Sequence, residues 1–227
     1  MPIEVIIGPM FSGKSDELIR RVRRSIIAGQ VVQVFKPVLD ERRSINHVTT
    51  YDGVRIDALP VADSKELYAK IKPRVDVVAI DELQFFDEGV MDVIEALDKK
   101  STVIVSCLNL NFRGEAFPFR NSVRTIAEIV LKADILDKLS SICTFKDAQE
   151  LPSDKILTPL GSSNGRPICG GKAIFSQRII DGKPAPYDAP IILLGSQEAY
   201  EARCRKHYQI PGKPSTIKLD AFLGEIN

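Results

Sequence analysis

The octapeptide GPMFSGKS, Gly8 to Ser15, follows the apolar run Ile3, Val5, Ile7 and completes the pattern G-x-x-x-x-G-K-S. A chain carrying that pattern between a strand and a helix is committed to one loop shape, because several backbone N–H groups must converge on an anion. Gly8 and Gly13 permit the dihedrals and close approach that a Cβ would obstruct. Pro9, Met10, Phe11 and Ser12 form the rest of the cradle. Lys14 supplies a point charge to the β- and γ-phosphates of a nucleoside triphosphate, and the Ser15 hydroxyl is placed to ligate Mg²⁺. The following pattern, DELIRRVRRSIIAG, reads as a helix that starts near Ser15 and aims its positive end at the anion. The alternative is a plain glycine turn; the strand-loop-helix context weighs against it.

Downstream the chain alternates. VVQVFK at 31–36, VDVVAI at 75–80 and TVIVSCL at 102–108 read as buried strands, with helices at SKELYAKIK and DEGVMDVIEALDKK between them. Apolar runs separated by helical patterns predict an α/β, phosphate-loop-NTPase-like fold: a mostly parallel sheet covered by helices on both faces. With 227 residues and 44% hydrophobic content the chain can bury one good core plus a small appended lobe. Around residue 140 the character changes. Pro152, Pro159, Gly161, Gly165 and Pro167 make 146–168 an irregular excursion. PIILLG at 190–195 is then strand-like, SQEAYEARCRKH helix-like, and the residues from Pro211 form a loose tail. The expected division is 1–140 for the α/β domain, 141–210 for a small lobe and 211–227 for the tail.

A net charge of +1 argues against a general nucleic-acid binder, and RRVRR at 20–24 reads as a solvated helix face. Residues 3–7 are too short for a signal segment, and no other run is long enough to span a bilayer, so a cytoplasmic protein without a membrane partner is expected. In that compartment Cys107, Cys143, Cys169 and Cys204 point to metal binding or plain burial rather than disulfides.

Asp81-Glu82 closes the strand VDVVAI. An acid at the carboxyl end of a strand beside a phosphate loop fits the Mg²⁺-holding role, directly or through water. A carboxylate one step further, Glu82, can accept a proton from an attacking hydroxyl or position water. The bland alternative is an acidic helix start. Cys204-Arg-Lys-His207 has the spacing of two ligands on one tetrahedral Zn²⁺, and Cys143 and Cys169 could complete the set. Against that, 25 residues separate Cys143 from Cys169, where zinc knuckles have about two to four. Cys107 is the weaker candidate, since Ser106 and Leu108 continue a core strand.

GPMFSGKS with its RRVRR helix, VVAIDELQFF, LNLNFRGEAF and YEARCRKH together resemble the type II thymidine kinases, the zinc-containing cellular and bacterial group, from about residue 3 to residue 210. The resemblance implies a kinase that moves the γ-phosphate of ATP to the 5′-hydroxyl of thymidine, giving dTMP for nucleotide salvage and DNA synthesis. It implies that Glu82 is the general base. Lys14, Ser15 and Asp81 fall on phosphate and Mg²⁺ positions, with Leu83, Gln84 and Phe85 beside them, and Asp52 matches an acid near the metal. Phe112 and Phe117 match aromatic positions around the thymine ring, although core packing alone would also explain them. Met10 and Leu108 match residues near its methyl group. Ile191, Ile192, Leu193, Leu194, Gly195 and Tyr200 match the lasso-like loop that closes over the base.

The same resemblance implies structural Zn²⁺ on Cys143, Cys169, Cys204 and His207, with 146–168 an insertion between the first two ligands, since LSSIC matches the approach to one and CGGKAIFSQR the exit from the other. A surface loop grows at little entropic cost. It further implies a homotetramer inhibited by dTTP. The rival readings are a nucleotide-sensing module, an ATPase driving a partner, and a kinase for another deoxynucleoside. For the last, one methyl separates thymidine from deoxyuridine, worth about 1–3 kcal/mol.

Overall fold

The computed structural model of the chain describes residues 1–38, 46–50, 52–146, 168–192 and 199–214. In chain order the elements are β1 (Ile3–Gly8), α1 (Lys14–Ile27), β2 (Val32–Pro37), β3 (His47–Thr49), β4 (Arg55–Asp57), β5 (Leu59–Val61), α2 (Ser64–Lys70), β6 (Val77–Ile80), a 3₁₀ turn (Leu83–Phe85), α3 (Val90–Leu97), β7 (Thr102–Leu108), α4 (Ala127–Lys132) and β8 (Ile135–Lys138). Five short strands follow: β9 (Ser141–Ile142), β10 (Lys172–Ala173), β11 (Phe175–Ile180), β12 (Lys183–Pro184) and β13 (Ala199–Arg203).

Six strands make one sheet in the order β5-β2-β6-β7-β1-β8, with every neighbouring pair parallel. Parallel neighbours need crossovers, which α1 to α4 supply except between β2 and β5, where the chain crosses by way of β3 and β4. The apolar strands are explained by burial on both faces. Val5, Ile7, Val78, Ile80, Val103 and Val105 point into one core layer with Leu67, Ile94 and Ile129 of the helices. Their sequence neighbours Ile6, Val77, Ala79 and Ile104 point into the other, against Leu18, Ile19 and Val22 of α1. Alternation is therefore present in space and invisible in the residue types.

The register aligns three strand ends. Gly8 lies opposite Leu108 and Ile80 opposite Val105, so the phosphate loop, Asp81-Glu82 and the start of the 109–126 loop leave the sheet together at its carboxyl edge. The small lobe pairs β9 with β10 and sets β11 between β12 and β13, all antiparallel.

Several expectations need correcting. The helix expected over 196–207 is absent where the chain is described: Ala199–Arg203 is strand β13 and a turn follows. The helix propensity of Glu, Ala and Arg gives way because β11 offers a full ladder and Ala202 a place in the lobe core. Of the strand expected at 190–195, residues 190–192 are irregular, and Leu193, Leu194 and Gly195 lie outside the described residues. Most of the 146–168 excursion also lies outside them. Of the expected tail, residues 211–214 are irregular and tied down, Tyr187 N–H donating to the Pro211 carbonyl and Lys213 Nζ to that of Arg113, and residues 215–227 lie outside the described residues. Among the described residues no helix is long and apolar enough to cross a membrane.

Candidate active site

The loop from Gly8 to Ser15 hangs between β1 and α1, closed by left-handed backbone at Phe11 (φ 63°) and Gly13 (φ 79°). Ser12 Oγ and Lys14 Nζ each donate to the Pro9 carbonyl at 2.8 Å, so the lysine folds back over the loop. Burial pulls the Lys14 ammonium below its ordinary pKa, while the charges of Glu82 and Asp81 act to raise it. Met10 N–H is engaged from the small lobe by Ser176 Oγ at 2.9 Å.

Asp81 extends β6, its N–H donating to the Phe35 carbonyl at 2.9 Å, and is 7% exposed. Its carboxylate accepts the Ser106 hydroxyl of β7. Burial first, and the charge of Glu82 second, push Asp81 up to about 6, although Ser106, Lys14 and Lys36 hold it down. Glu82 then turns the chain out of the sheet in left-handed backbone, φ 53°, ψ 46°, as the residue that opens the 3₁₀ turn. Leu83 dives into the core at 0% exposed. Gln84 donates from Nε2 to Glu82 Oε2 at 2.5 Å and accepts Leu108 N–H at 3.1 Å. Cys107 packs in the main core, where burial pushes its thiol up to about 12 and keeps it neutral.

The loop after β7 supplies the aromatic wall. Phe117 is buried and meets Phe85 edge-on at 5.7 Å. Phe112 is buried under the guanidinium of Arg178, 5.3 Å from its ring centre. Arg113 reaches across to the Ala189 carbonyl at 2.8 Å and lies over Tyr187, whose hydroxyl donates to Glu115. Tyr208 donates its hydroxyl to the Phe112 carbonyl at 2.5 Å. Ile191 packs on the main core and Ile192 is partly exposed. Tyr200 sits in β13 opposite Arg178. Asp52 lies exposed on the turn between β3 and β4.

Ser106, Ser176 and Arg178 were not singled out from the sequence. The available signal was a polar residue inside an apolar run, TVIVSCL and AIFSQRII, where a buried side chain must find a partner.

Cys143, Cys169, Cys204 and His207 come together with all four ligand atoms within 4.8 Å of one another. The individual separations are 4.0 Å for Cys169 Sγ to Cys204 Sγ, 3.5 Å for Cys204 Sγ to His207 Nδ1 and 3.7 Å for Cys143 Sγ to His207 Nδ1. A tetrahedron built on a Zn–S bond of about 2.3 Å has edges of about 3.8 Å, so this Cys₃His group could bind zinc. The long gap between Cys143 and Cys169 does not separate them. Cys169 N–H donates to Phe145 O, Gly170 N–H to Cys143 O, and Lys146 bridges Ile168, so the chain leaves and returns at one point beyond the ligands. His207 is oriented by stacking on Phe145 at 4.3 Å.

The arrangement joins a glycine-rich loop, a carboxylate pair beside its lysine and an aromatic wall with a lobe whose Cys₃His group could hold a metal. Comparison with known families matches the sequence to the one described as thymidine kinase over residues 1–153 and 166–208. The unmatched stretch between those segments falls inside the 146–168 excursion. A match over most of the chain, on this fold and around this site, means that the chain belongs to the thymidine kinase family and is a phosphotransferase of that class.

Proposed function

We propose that the protein transfers the γ-phosphate of ATP to the 5′-hydroxyl of thymidine, with Glu82 as general base. The observation that carries the reading is the convergence of Lys14, Asp81 and Glu82 at one edge of the sheet, where the two carboxylates bear on the charge of Lys14 and Lys14 and Glu82 on that of Asp81. Phosphoryl transfer asks the protein for positioning and charge neutralisation more than for covalent chemistry. Gly8 to Ser15 would cradle the donor phosphates by backbone N–H groups, with Lys14 drawn out from Pro9 onto the β- and γ-phosphates. Ser15 and Asp81 offer the hard oxygen ligands that suit Mg²⁺, and a carboxylate whose proton is held by burial gains from a cation beside it. Bound there, Mg²⁺ would neutralise phosphate charge. Glu82 would take the proton of the acceptor hydroxyl. Phe85, Phe112 and Phe117 would hold the pyrimidine, with Leu108 and Met10 near its methyl group and Ile191 to Gly195 and Tyr200 closing over it. Asp52 would join from the β3–β4 turn.

The test is a panel of thymidine, deoxyuridine, deoxycytidine and purine deoxynucleosides with ATP and Mg²⁺, run on wild type and Glu82→Gln. Thymidine should be the preferred acceptor, and the variant should keep ATP binding while kcat falls by about 10²–10⁴-fold. Wild-type rate in Glu82→Gln would remove the base assignment; ATP hydrolysis indifferent to nucleoside would remove the kinase.

The kinship with the zinc-containing group also supports a division into a donor domain (1–140), a zinc lobe with lasso and insertion (141–210) and a tail (211–227). It supports a cytoplasmic homotetramer in pyrimidine salvage that is inhibited by dTTP. Sedimentation showing a monomer, or a rate insensitive to dTTP, would remove the respective claim.

A further inference from the structure

We infer that Gln84 is a positioning residue that fixes the Glu82 carboxylate against the acceptor wall, and not a contact for the nucleotide. The inference rests on the reading of Glu82 as base.

Gln84 is 0% exposed and both ends of its amide are engaged within the protein. Its amide cannot be turned over. Leu108 N–H is a donor and therefore demands the oxygen, at 3.1 Å, which leaves the NH₂ group for Glu82 Oε2, at 2.5 Å. One side chain thus spans from the end of β7, where the aromatic loop begins, to the carboxylate at the end of β6.

Glu82 needs such a partner. Left-handed backbone costs a residue with a Cβ about 1–2 kcal/mol, and here it is kept by the turn bond from Phe85 N–H to Glu82 O at 3.0 Å. That bond fixes the backbone and leaves the side-chain rotors free. Around it the charges compete: Lys14 attracts the Glu82 carboxylate toward the donor loop, whereas Asp81 repels it. An uncommitted carboxylate would pair with Lys14 and occupy the place of the phosphates. The Gln84 NH₂ holds it instead with a charge-assisted bond, and the 3₁₀ turn places that amide two residues on from the carboxylate.

The experiment uses Gln84→Glu, assayed above the pH at which its carboxyl shares a proton with Glu82, so that it keeps an acceptor for Leu108 N–H and sets a like charge where the donor to Glu82 stood, and Gln84→Met, which removes both groups. Rates are measured alone and in a Glu82→Gln background, with ATP affinity and melting followed throughout. Gln84→Glu should lose about a hundredfold in kcat, the scale of a misplaced catalytic group, with KM for ATP changed less than twofold. In the Glu82→Gln background the same change should alter the residual rate less than twofold, because its effect passes through the group already removed. Losses that add in full across the two backgrounds, or a KM for ATP that rises while kcat holds, would overturn the inference. Should Gln84→Glu fold poorly by its melting curve, Gln84→Met decides by the same cycle. A fast Glu82→Gln enzyme would instead strike the base assignment itself, which separates the two failures.

Discussion

Gly8 has no room for a side chain. A Cβ there would stand 2.5 Å from Ser12 Oγ and 3.0 Å from the Leu139 carbonyl oxygen. The serine can rotate; the carbonyl belongs to backbone that is itself bonded to Ile7, so the loop must shift instead. Overpacking of this kind costs about 1–3 kcal/mol, and because the strain falls on the cradle, Gly8→Ala should weaken ATP binding by about ten- to hundredfold. Titration calorimetry with ATP checks this, and an unchanged Kd would refute it. That Gly8, Gly13, Lys14 and Asp81 come together at the carboxyl edge of the sheet was legible in the sequence, because the loop pattern and the acid closing a strand fix their types and spacing. Ser106 and Ser176 were not, since what makes them matter is a partner 25 or 166 positions away.

At the scale of elements, α1 is moored to the sheet by charge as well as by its apolar face. Arg21 reaches Glu17 on its own helix, Glu4 on β1 and Asp137 on β8. Glu17 is held down to about 2, first by its hydrogen bond to Arg20 and also by Arg21, with burial opposing. A carboxylate depressed in the folded state adds stability that is present above its ordinary value near 4.5 and disappears as pH falls through about 2. Glu17→Gln should therefore lower stability at pH 7 by about 1 kcal/mol, the shift being discounted because Arg20 is exposed. The difference from wild type should vanish near pH 2. Denaturant melts across that range test the sign, and a deficit constant with pH would contradict it.

The central strands and α1 to α3 were readable from periodicity, since burial on both faces forces apolar runs. The edge strands β5 and β8 were not, being short or largely exposed. Strand β13 was misread because Glu, Ala and Arg favour a helix in isolation, and only the presence of β11 decides otherwise. The Cys₃His group was legible by residue type, and the proximity of Cys143 to Cys169 was obscured by distance along the chain, which the Lys146–Ile168 bridge cancels.

On the scale of the whole molecule the two parts are held by different means. The sheet has two extensive core layers, whereas the apolar core of the small lobe among the described residues is Cys143, Ala173 and Ala202 with Phe145 and Cys204 against it. So small a core does not outweigh the chain entropy of the strands around it. A structural metal on the Cys₃His group would supply the difference, with four protein ligands leaving no open position for chemistry. Chelation should lower melting and thymidine affinity together, with zinc near one equivalent per chain in the untreated protein. A metal-free sample with unchanged melting would reject this.

The bond from Met10 N–H to Ser176 Oγ carries a kinetic corollary. It ties the Gly8–Ser15 loop to β11 of the small lobe, so whatever draws the lobe inward also tensions the loop. Occupancy of either pocket should then report to the other, and by linkage the effect must be equal in both directions. Initial-rate plots should show substrate synergism, the apparent KM for ATP falling as nucleoside rises, and Ser176→Ala should make that KM independent of nucleoside; synergism surviving intact in the variant would place the communication elsewhere.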